Sequence, residues 1–149
     1  MKKFWKYLVI SAAIITLLFM IIGYSINYFA QVRKNLVQES KLWGAFTAVR
    51  FSLDGYYDKH GQYPQSLESL SIEGLPGDLK FDEIVKKFVY KTDGSSYELS
   101  LEIELNYGVF PFKQITRVKK RTLFVDKEKN ATYREYLDGK LIGESDNTN

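Results

Sequence analysis

The feature that most constrains this chain is a run of 23 residues without a charge, Tyr7–Phe29. As a helix the run would be roughly 34 Å long, which is enough to cross a hydrocarbon core of about 30 Å. Trp5 and Tyr7 lie at one end of the run and Tyr28 and Phe29 at the other, where aromatic rings favour the headgroup region. The run predicts a transmembrane helix over residues 7–29, preceded by a short tail over residues 1–6.

The charges around the run predict its orientation. Lys2, Lys3 and Lys6 precede it, and no acid occurs before Glu39. Because cytoplasmic flanks carry the excess of lysine and arginine, we expect the N-terminus in the cytoplasm and the rest of the chain across the inner membrane, in the periplasm. A cleaved signal peptide is the alternative. Its apolar core is about 7–15 residues long, and Tyr28 stands where cleavage needs a small residue, so a retained signal anchor is favoured.

Composition limits the chemistry of the remaining chain. Setting aside the three lysines before the run leaves 18 bases against 18 acids, and this balance predicts no nucleic-acid partner. The chain has no cysteine, which excludes disulfides, thiolate catalysis and cysteine-ligated metals. Eleven tyrosines and ten phenylalanines supply enough apolar area for a packed core. We therefore expect one folded domain over residues 30–143.

An amphipathic helix is predicted to follow the membrane run without interruption. Apolar residues recur there every three or four positions, and the first proline is Pro64. One helix is thus expected from about Phe4 to about Lys59, closed by Gly61 in the left-handed C-cap conformation. The residues that this helix contributes to the core are predicted to be Trp43, Phe46, Val49, Leu53 and Tyr57.

The second half of the chain changes to a period of two. Strands are predicted over 88–92, 97–105, 115–125, 132–137 and 140–143, with hairpin turns at Asp93-Gly94 and Asp138-Gly139 and a flexible polar tail over 144–149. The predicted fold class is α+β, a long helix packed on a small antiparallel sheet. The sheet side of the core is predicted to be Tyr97, Leu99, Leu101, Ile103 and Leu105.

The titratable residues predict no catalytic or metal centre. The single histidine, His60, is expected to be a cation at the helix C-terminus, and no nucleophile motif or phosphate loop occurs. Glu98, Glu102 and Glu104 share one strand face, which a solvated sheet surface explains; a hard-cation site is the alternative. We expect no cofactor and no enzymatic activity.

Three further motifs carry weak functional signals. The basic run Arg117–Arg121 is expected to protect an edge strand by charge, and binding of acidic lipid or a polyanion is the alternative. Asn130-Ala131-Thr132 matches a glycosylation sequon. Acids around a predicted loop suggest Ca²⁺ binding without matching any ligand loop, and they are Glu73, Asp78, Asp82 and Glu83.

The segment Leu53–Leu70, LDGYYDKHGQYPQSLESL, resembles the type IV pilin and type II secretion pseudopilin superfamily. The resemblance rests on a tyrosine-containing helix end followed by a Gly-x-Tyr-Pro turn and spaced leucines. It extends more loosely to the whole plan of the chain and to the hairpin Tyr90–Leu99. The matching positions are Tyr57, Asp58, Gly61, Tyr63, Pro64, Leu67 and Leu70.

The resemblance implies a pilin-like fold and a role in protein–protein assembly linked to secretion or pilus machinery. Members of the superfamily carry a glycine at a leader-peptide junction and a glutamate in the first turns of the mature helix, and this sequence has neither around Lys6 or within Tyr7–Phe29. The implied function is a non-enzymatic envelope protein. The alternative function is a membrane-anchored module that binds a ligand or senses a signal.

Overall fold

A single helix, α1, covers Lys2–His60 in the computed structural model, which describes residues 2–72, 75–76, 79–108 and 115–147. A 3₁₀ turn over Leu67–Ser69 and a short helix α2, Phe81–Val85, lead into the sheet. The strands are β1 (Phe88–Thr92), β2 (Tyr97–Tyr107), β3 (Ile115–Val125), β4 (Ala131–Leu137) and β5 (Lys140–Asn147). They lie in the order β1-β2-β3-β4-β5, and the pairs β1–β2, β3–β4 and β4–β5 are antiparallel. The predicted α+β class is confirmed.

The chain divides into two structural units. The first unit comprises Met1–Leu36 and Asn106–Ile115, and the second comprises Val37–Leu105 and Thr116–Asn149. In the first unit the side-chain amides of Gln31 and Asn35 both donate to the carbonyl oxygen of Asn106, at 3.2 and 2.7 Å. The bond from Asn35 satisfies a polar side chain that is only 4% exposed.

The core of the second unit lies between α1 and one face of the sheet. The buried residues of α1 in this unit recur at intervals of three and four, which is the period of one helix face, and they are Leu42, Ala45, Phe46, Val49 and Leu53. All five predicted β2 residues are buried, and Leu123 and Val125 of β3 join them.

Two predicted core residues, Trp43 and Tyr57, are only half-buried. Trp43 packs edge-on against Phe46, with ring centroids 6.1 Å apart, and lies at the border of the core. Leu42 and Ala45 take the central positions instead because the buried face of the helix is centred about one residue earlier than the aromatic spacing suggested.

The predicted flexible tail over 144–149 is wrong for residues 144–147. These residues extend β5, where Glu144 pairs with Arg134 and Asn147 with Ala131. Arg134 Nε donates to Glu144 Oε1 at 2.7 Å, so a cross-strand ion pair supports a segment that has no apolar alternation.

Candidate interaction site

The N-terminal part of α1 presents apolar side chains outward. Its most apolar 18-residue window has a mean hydropathy of 2.4 and contains no buried residue. By length and composition, this one helix is able to cross a membrane. Its polar side chains bond to backbone carbonyls four residues earlier: Thr16 to Ala12 at 2.9 Å and Asn27 to Gly23 at 3.0 Å. Such bonds reduce the cost of placing a hydroxyl or an amide in hydrocarbon.

A network of charged side chains joins α1 to the sheet in the second unit. Lys119 Nζ of β3 donates to Glu39 Oε1 and lies 3.2 Å from Glu135 Oε1 of β4. Glu39 also accepts from Trp43 Nε1 at 3.0 Å, and the Arg121 guanidinium lies 4.3 Å from the centre of the Trp43 ring. Two carboxylates thus face two cations at the helix–sheet interface.

The electrostatics of this network follow from competition between burial and pairing. Burial alone raises the pKa of Glu39, but hydrogen bonds from Lys119 and Trp43 and the charges of Lys119 and Arg121 outweigh it, so the pKa is lowered from 4.5. Burial lowers the pKa of Lys119, and its bonds to Glu39 and Glu135 raise it by more. Each partner therefore favours the charged form of the other.

The network also corrects the prediction for the basic run Arg117–Arg121. That run was expected on an edge strand, but β3 lies between β2 and β4, so the prediction is wrong. Lys119 and Arg121 point to the helix and are stabilised by Glu39, Trp43 and Glu135. The alternating bases and the acid at Glu39 were visible in the sequence, but their pairing across 80 residues was not.

A second polar cluster lies next to the core. Arg50 Nη1 donates to the hydroxyl of Tyr133, and Arg50 Nε lies 3.7 Å from Asp54 Oδ2. The Tyr97 hydroxyl is buried and has no hydrogen-bond partner within the described part of the chain. Burial raises the pKa of Asp54 more than Arg50 lowers it, and burial together with Asp54 raises the pKa of Tyr97.

The Gly-x-Tyr-Pro turn fastens the end of α1 to the β1–β2 hairpin. Gly61 has a φ of 71°, in the left-handed region as predicted, and its N–H donates to Tyr57 O. The buried Tyr63 donates its N–H to Gly94 O at 2.8 Å, and Tyr90 donates its hydroxyl to Pro64 O at 2.8 Å.

Aromatic and leucine contacts complete this turn. The Tyr63 ring lies between Tyr57 and Tyr97, with both centroid distances 4.6 Å. Leu67 and Leu70 are both buried. The turn residues therefore have a clear structural role.

The remaining candidates do not come together as a site. Within residues 2–72, 75–76, 79–108 and 115–147, no three His, Cys, Asp or Glu side chains are placed to hold a metal ion. His60 stacks on Tyr56 at 4.2 Å, and Glu98 lies 4.0 Å from Lys91. Glu73 and Asp78 lie outside the described residues.

Asn130, the first residue of the sequon, closes the turn between β3 and β4. Its side-chain amide donates to Asp126 Oδ2 at 2.9 Å, and its backbone N–H donates to Asp126 Oδ1 at 2.8 Å. These bonds lower the pKa of Asp126. The turn chemistry thus accounts for an asparagine at this position.

A groove of about 860 Å³ runs along α1 in the second unit, between the helix and residues 69–71. Its floor is formed by small residues, including Gly44, Ala48 and Gly55, and Phe51 is exposed beside it. Gly44 is needed for close approach, because a Cβ placed there would lie 2.6 Å from Pro76 Cγ.

No protein-family model, no curated protein and no solved structure matches this chain.

Proposed function

We propose that this chain is a single-pass protein of the cytoplasmic membrane that acts by protein–protein contact in an envelope assembly of the secretion or pilus type. In this proposal its N-terminus is cytoplasmic, its sheet domain is extracytoplasmic, and it carries out no catalysis. Its partners are the lipid bilayer and other protein subunits.

The observation that carries the proposal is the change of surroundings along a single helix. Up to Phe29 the outward side chains of α1 are apolar and exposed. From Leu42 to Leu53 the same helix buries one face against a sheet. A helix with this division suits a protein that is held in a bilayer and displays a folded domain beside it.

The pilin-like part of the proposal is supported by the order of elements and by the turn. A long helix, a Gly61-x-Tyr63-Pro64 turn and an antiparallel meander follow one another, and the turn bonds directly to the first hairpin. The uncharged run has no acid and no glycine junction before it. The mass of the intact protein extracted from membranes tests whether the apolar run is retained, since cleavage at a signal-peptide or leader-peptide junction would lower that mass.

The membrane topology can be tested by labelling single introduced cysteines, because the chain itself has none. Phe4→Cys and Lys59→Cys place single thiols before and after the apolar run, at exposed positions. With intact cells, a membrane-impermeant maleimide is expected to label the thiol at position 59 and to label position 4 only after the membrane is permeabilised. The reverse pattern would contradict the proposed orientation, and release of the protein by alkaline carbonate would contradict the anchor.

The assembly role is tested by cross-linking in intact membranes. A photoreactive residue in place of the exposed Phe51 is expected to capture components of secretion or pilus machinery. Val89, which is also exposed, is the comparison site. Recovery of the monomer alone from both positions would contradict assembly.

The second candidate function is an anchored ligand-binding module. It is favoured by a groove of about 380 Å³ on the outer sheet face, where Glu98 and Glu102 lie with Lys120 and Tyr136. A ligand there would raise the melting temperature of the detergent-solubilised chain, and Glu102→Gln would reduce the rise. The same melting temperature across divalent cations and polyanions would exclude these ligand classes.

A further inference from the structure

The acids and bases are divided unevenly between the two structural units. The first unit, Met1–Leu36 with Asn106–Ile115, contains six bases and no acid. The second unit holds the other 15 bases and all 18 acids. The bases of the first unit lie on both sides of the apolar run and have no acid among them. Lys2, Lys3 and Lys6 precede the run, Arg33 and Lys34 follow it, and Lys113 lies outside the described residues.

The end of β2 lies against α1 close to the end of the apolar run. The Asn106 carbonyl accepts from Gln31 and Asn35, which are two and six residues beyond Phe29. At 1.5 Å per residue these positions are about 3 and 9 Å further along the helix axis. A headgroup layer extends about 5–7 Å beyond the hydrocarbon core on each side. With Phe29 at the core boundary, Asn106 lies at the level of the headgroups.

The exposed side chains of this unit from the end of the apolar run onward have the chemistry of a membrane interface. Tyr28, Phe29, Arg33 and Lys34 are exposed on α1, and Ile115 of the same unit has 49% of its surface accessible. Aromatic rings and aliphatic groups favour the boundary of the hydrocarbon, while bases favour anionic headgroups. The intervening sequence at 109–114, which lies outside the described residues, reads VFPFKQ and adds no acid.

We propose that Tyr28, Phe29, Arg33, Lys34 and Ile115 form a surface that binds anionic phospholipid headgroups. The chain then contacts the bilayer at two places, through the spanning helix and through the start of β3 beside it. This inference rests on the proposed membrane anchor. The complementarity of charge is what selects a lipid surface, because an acid-free surface of bases and aromatic rings matches a layer of phosphates.

The test uses the full chain reconstituted into vesicles. Ile115→Cys carries an environment-sensitive fluorophore, and a nitroxide attached to the lipid headgroup region quenches it on contact. Val89→Cys is the matched control in the second unit, since Val89 is 55% exposed. Ile14→Cys, in the apolar run and 54% exposed, is read with a nitroxide on the acyl chain and reports whether the helix inserts.

We expect the label at position 115 to be quenched in vesicles of phosphatidylglycerol and phosphatidylcholine. This quenching should be lost in vesicles of phosphatidylcholine alone or at high salt. Each base near an anionic surface strengthens such a contact about fivefold. The double variant Arg33→Gln with Lys34→Gln should therefore lower the ratio of membrane-bound to unbound states of the labelled segment by about thirtyfold. The control pair Lys86→Gln with Lys87→Gln, also adjacent and exposed, should leave the ratio unchanged.

Two results would overturn the inference while leaving the anchor in place. The first is quenching at position 115 no stronger than at position 89 while position 14 is quenched. The second is quenching at position 115 that does not depend on anionic lipid, or that falls equally in the Arg33/Lys34 double variant and in the Lys86/Lys87 double variant. Absence of quenching at position 14 would instead contradict the spanning helix itself.

Discussion

The packing of Pro76 on Gly44 leads to a prediction with a matched control in the same helix. Gly44 and Gly55 both lie within α1 and both line the groove. Alanine is favoured over glycine in a helix interior by about 1 kcal/mol. A Cβ on Gly55 would meet nothing within 4 Å, whereas a Cβ on Gly44 would lie 2.6 Å from Pro76 Cγ. The same substitution should therefore have opposite effects at the two positions.

The size of the difference follows from these distances. Gly55→Ala should stabilise the protein by roughly 0.5–1 kcal/mol, the gain in helix propensity. At Gly44 the new carbon would lie about 1 Å inside the normal carbon–carbon separation, and overpacking of this kind costs about 1–3 kcal/mol. We expect Gly44→Ala to be less stable than Gly55→Ala by about 1–3 kcal/mol. At about 4 °C per kcal/mol, this is a gap of about 4–12 °C in melting temperature.

The measurement is thermal unfolding of the full chain in detergent, followed by near-ultraviolet circular dichroism. Pro76→Ala in the Gly44→Ala background removes the ring carbons and should recover most of the lost stability. Equal stabilisation by alanine at both glycines would refute the close packing of Pro76 on the helix. If Pro76→Ala does not restore the stability of Gly44→Ala, the loss does not come from contact with the Pro76 ring.

Three further changes test the interface, the turn and the last strand. Glu39→Gln should lower the free energy of unfolding by about 1 kcal/mol at neutral pH. Because the pKa of Glu39 in the folded protein lies below 4.5, the stability that its charge contributes is present above pH 4.5 and is lost as the pH falls below that value. The urea midpoint of the variant should therefore decline less on acidification than that of the unmodified protein. Gly61→Ala should lower the urea midpoint by the equivalent of about 1 kcal/mol because φ is 71°, and Gly61→Asn should lower it by less. Truncation after Gly143 should lower the melting temperature by removing the pairing of residues 144–147 with β4, and an unchanged melting temperature would show that this pairing contributes nothing.

The helix and the strands were predictable because their sequence periods are long and regular. The strict alternation from Tyr97 to Leu105 determines which face of the strand is buried, while the three-to-four spacing before Tyr57 predicts the helix and places its buried face to within about one residue. The left-handed glycine at position 61 was predictable because its position after a helical pattern is itself a local signal.

What the sequence did not reveal depends on partners that are distant along the chain. Nothing local places β3 in the centre of the sheet, and Lys119 and Arg121 therefore looked like residues of an edge strand. On this central strand their partly exposed side chains are paired with Glu39 and Glu135. The end of β5 was missed for the same reason, since Glu144 is held by Arg134 on the neighbouring strand and not by any local pattern.

The polar side chains of α1 near Gln31 bear on the proposed membrane anchor. Before that position, the hydroxyl of Thr16 and the amide of Asn27 bond to the helix's own backbone, which suits hydrocarbon because no outside partner is needed. From Gln31 onward, some side chains of the same helix bond to residues distant in sequence, as Gln31 does to Asn106 and Glu39 to Lys119, while Thr47 still bonds to the backbone of its own helix. The bond from Gln31 to Asn106 comes four residues, or one helical turn, after the bond of Asn27 to its own helix. In the proposed anchor this turn follows the end of the uncharged run, where the helix would leave the hydrocarbon.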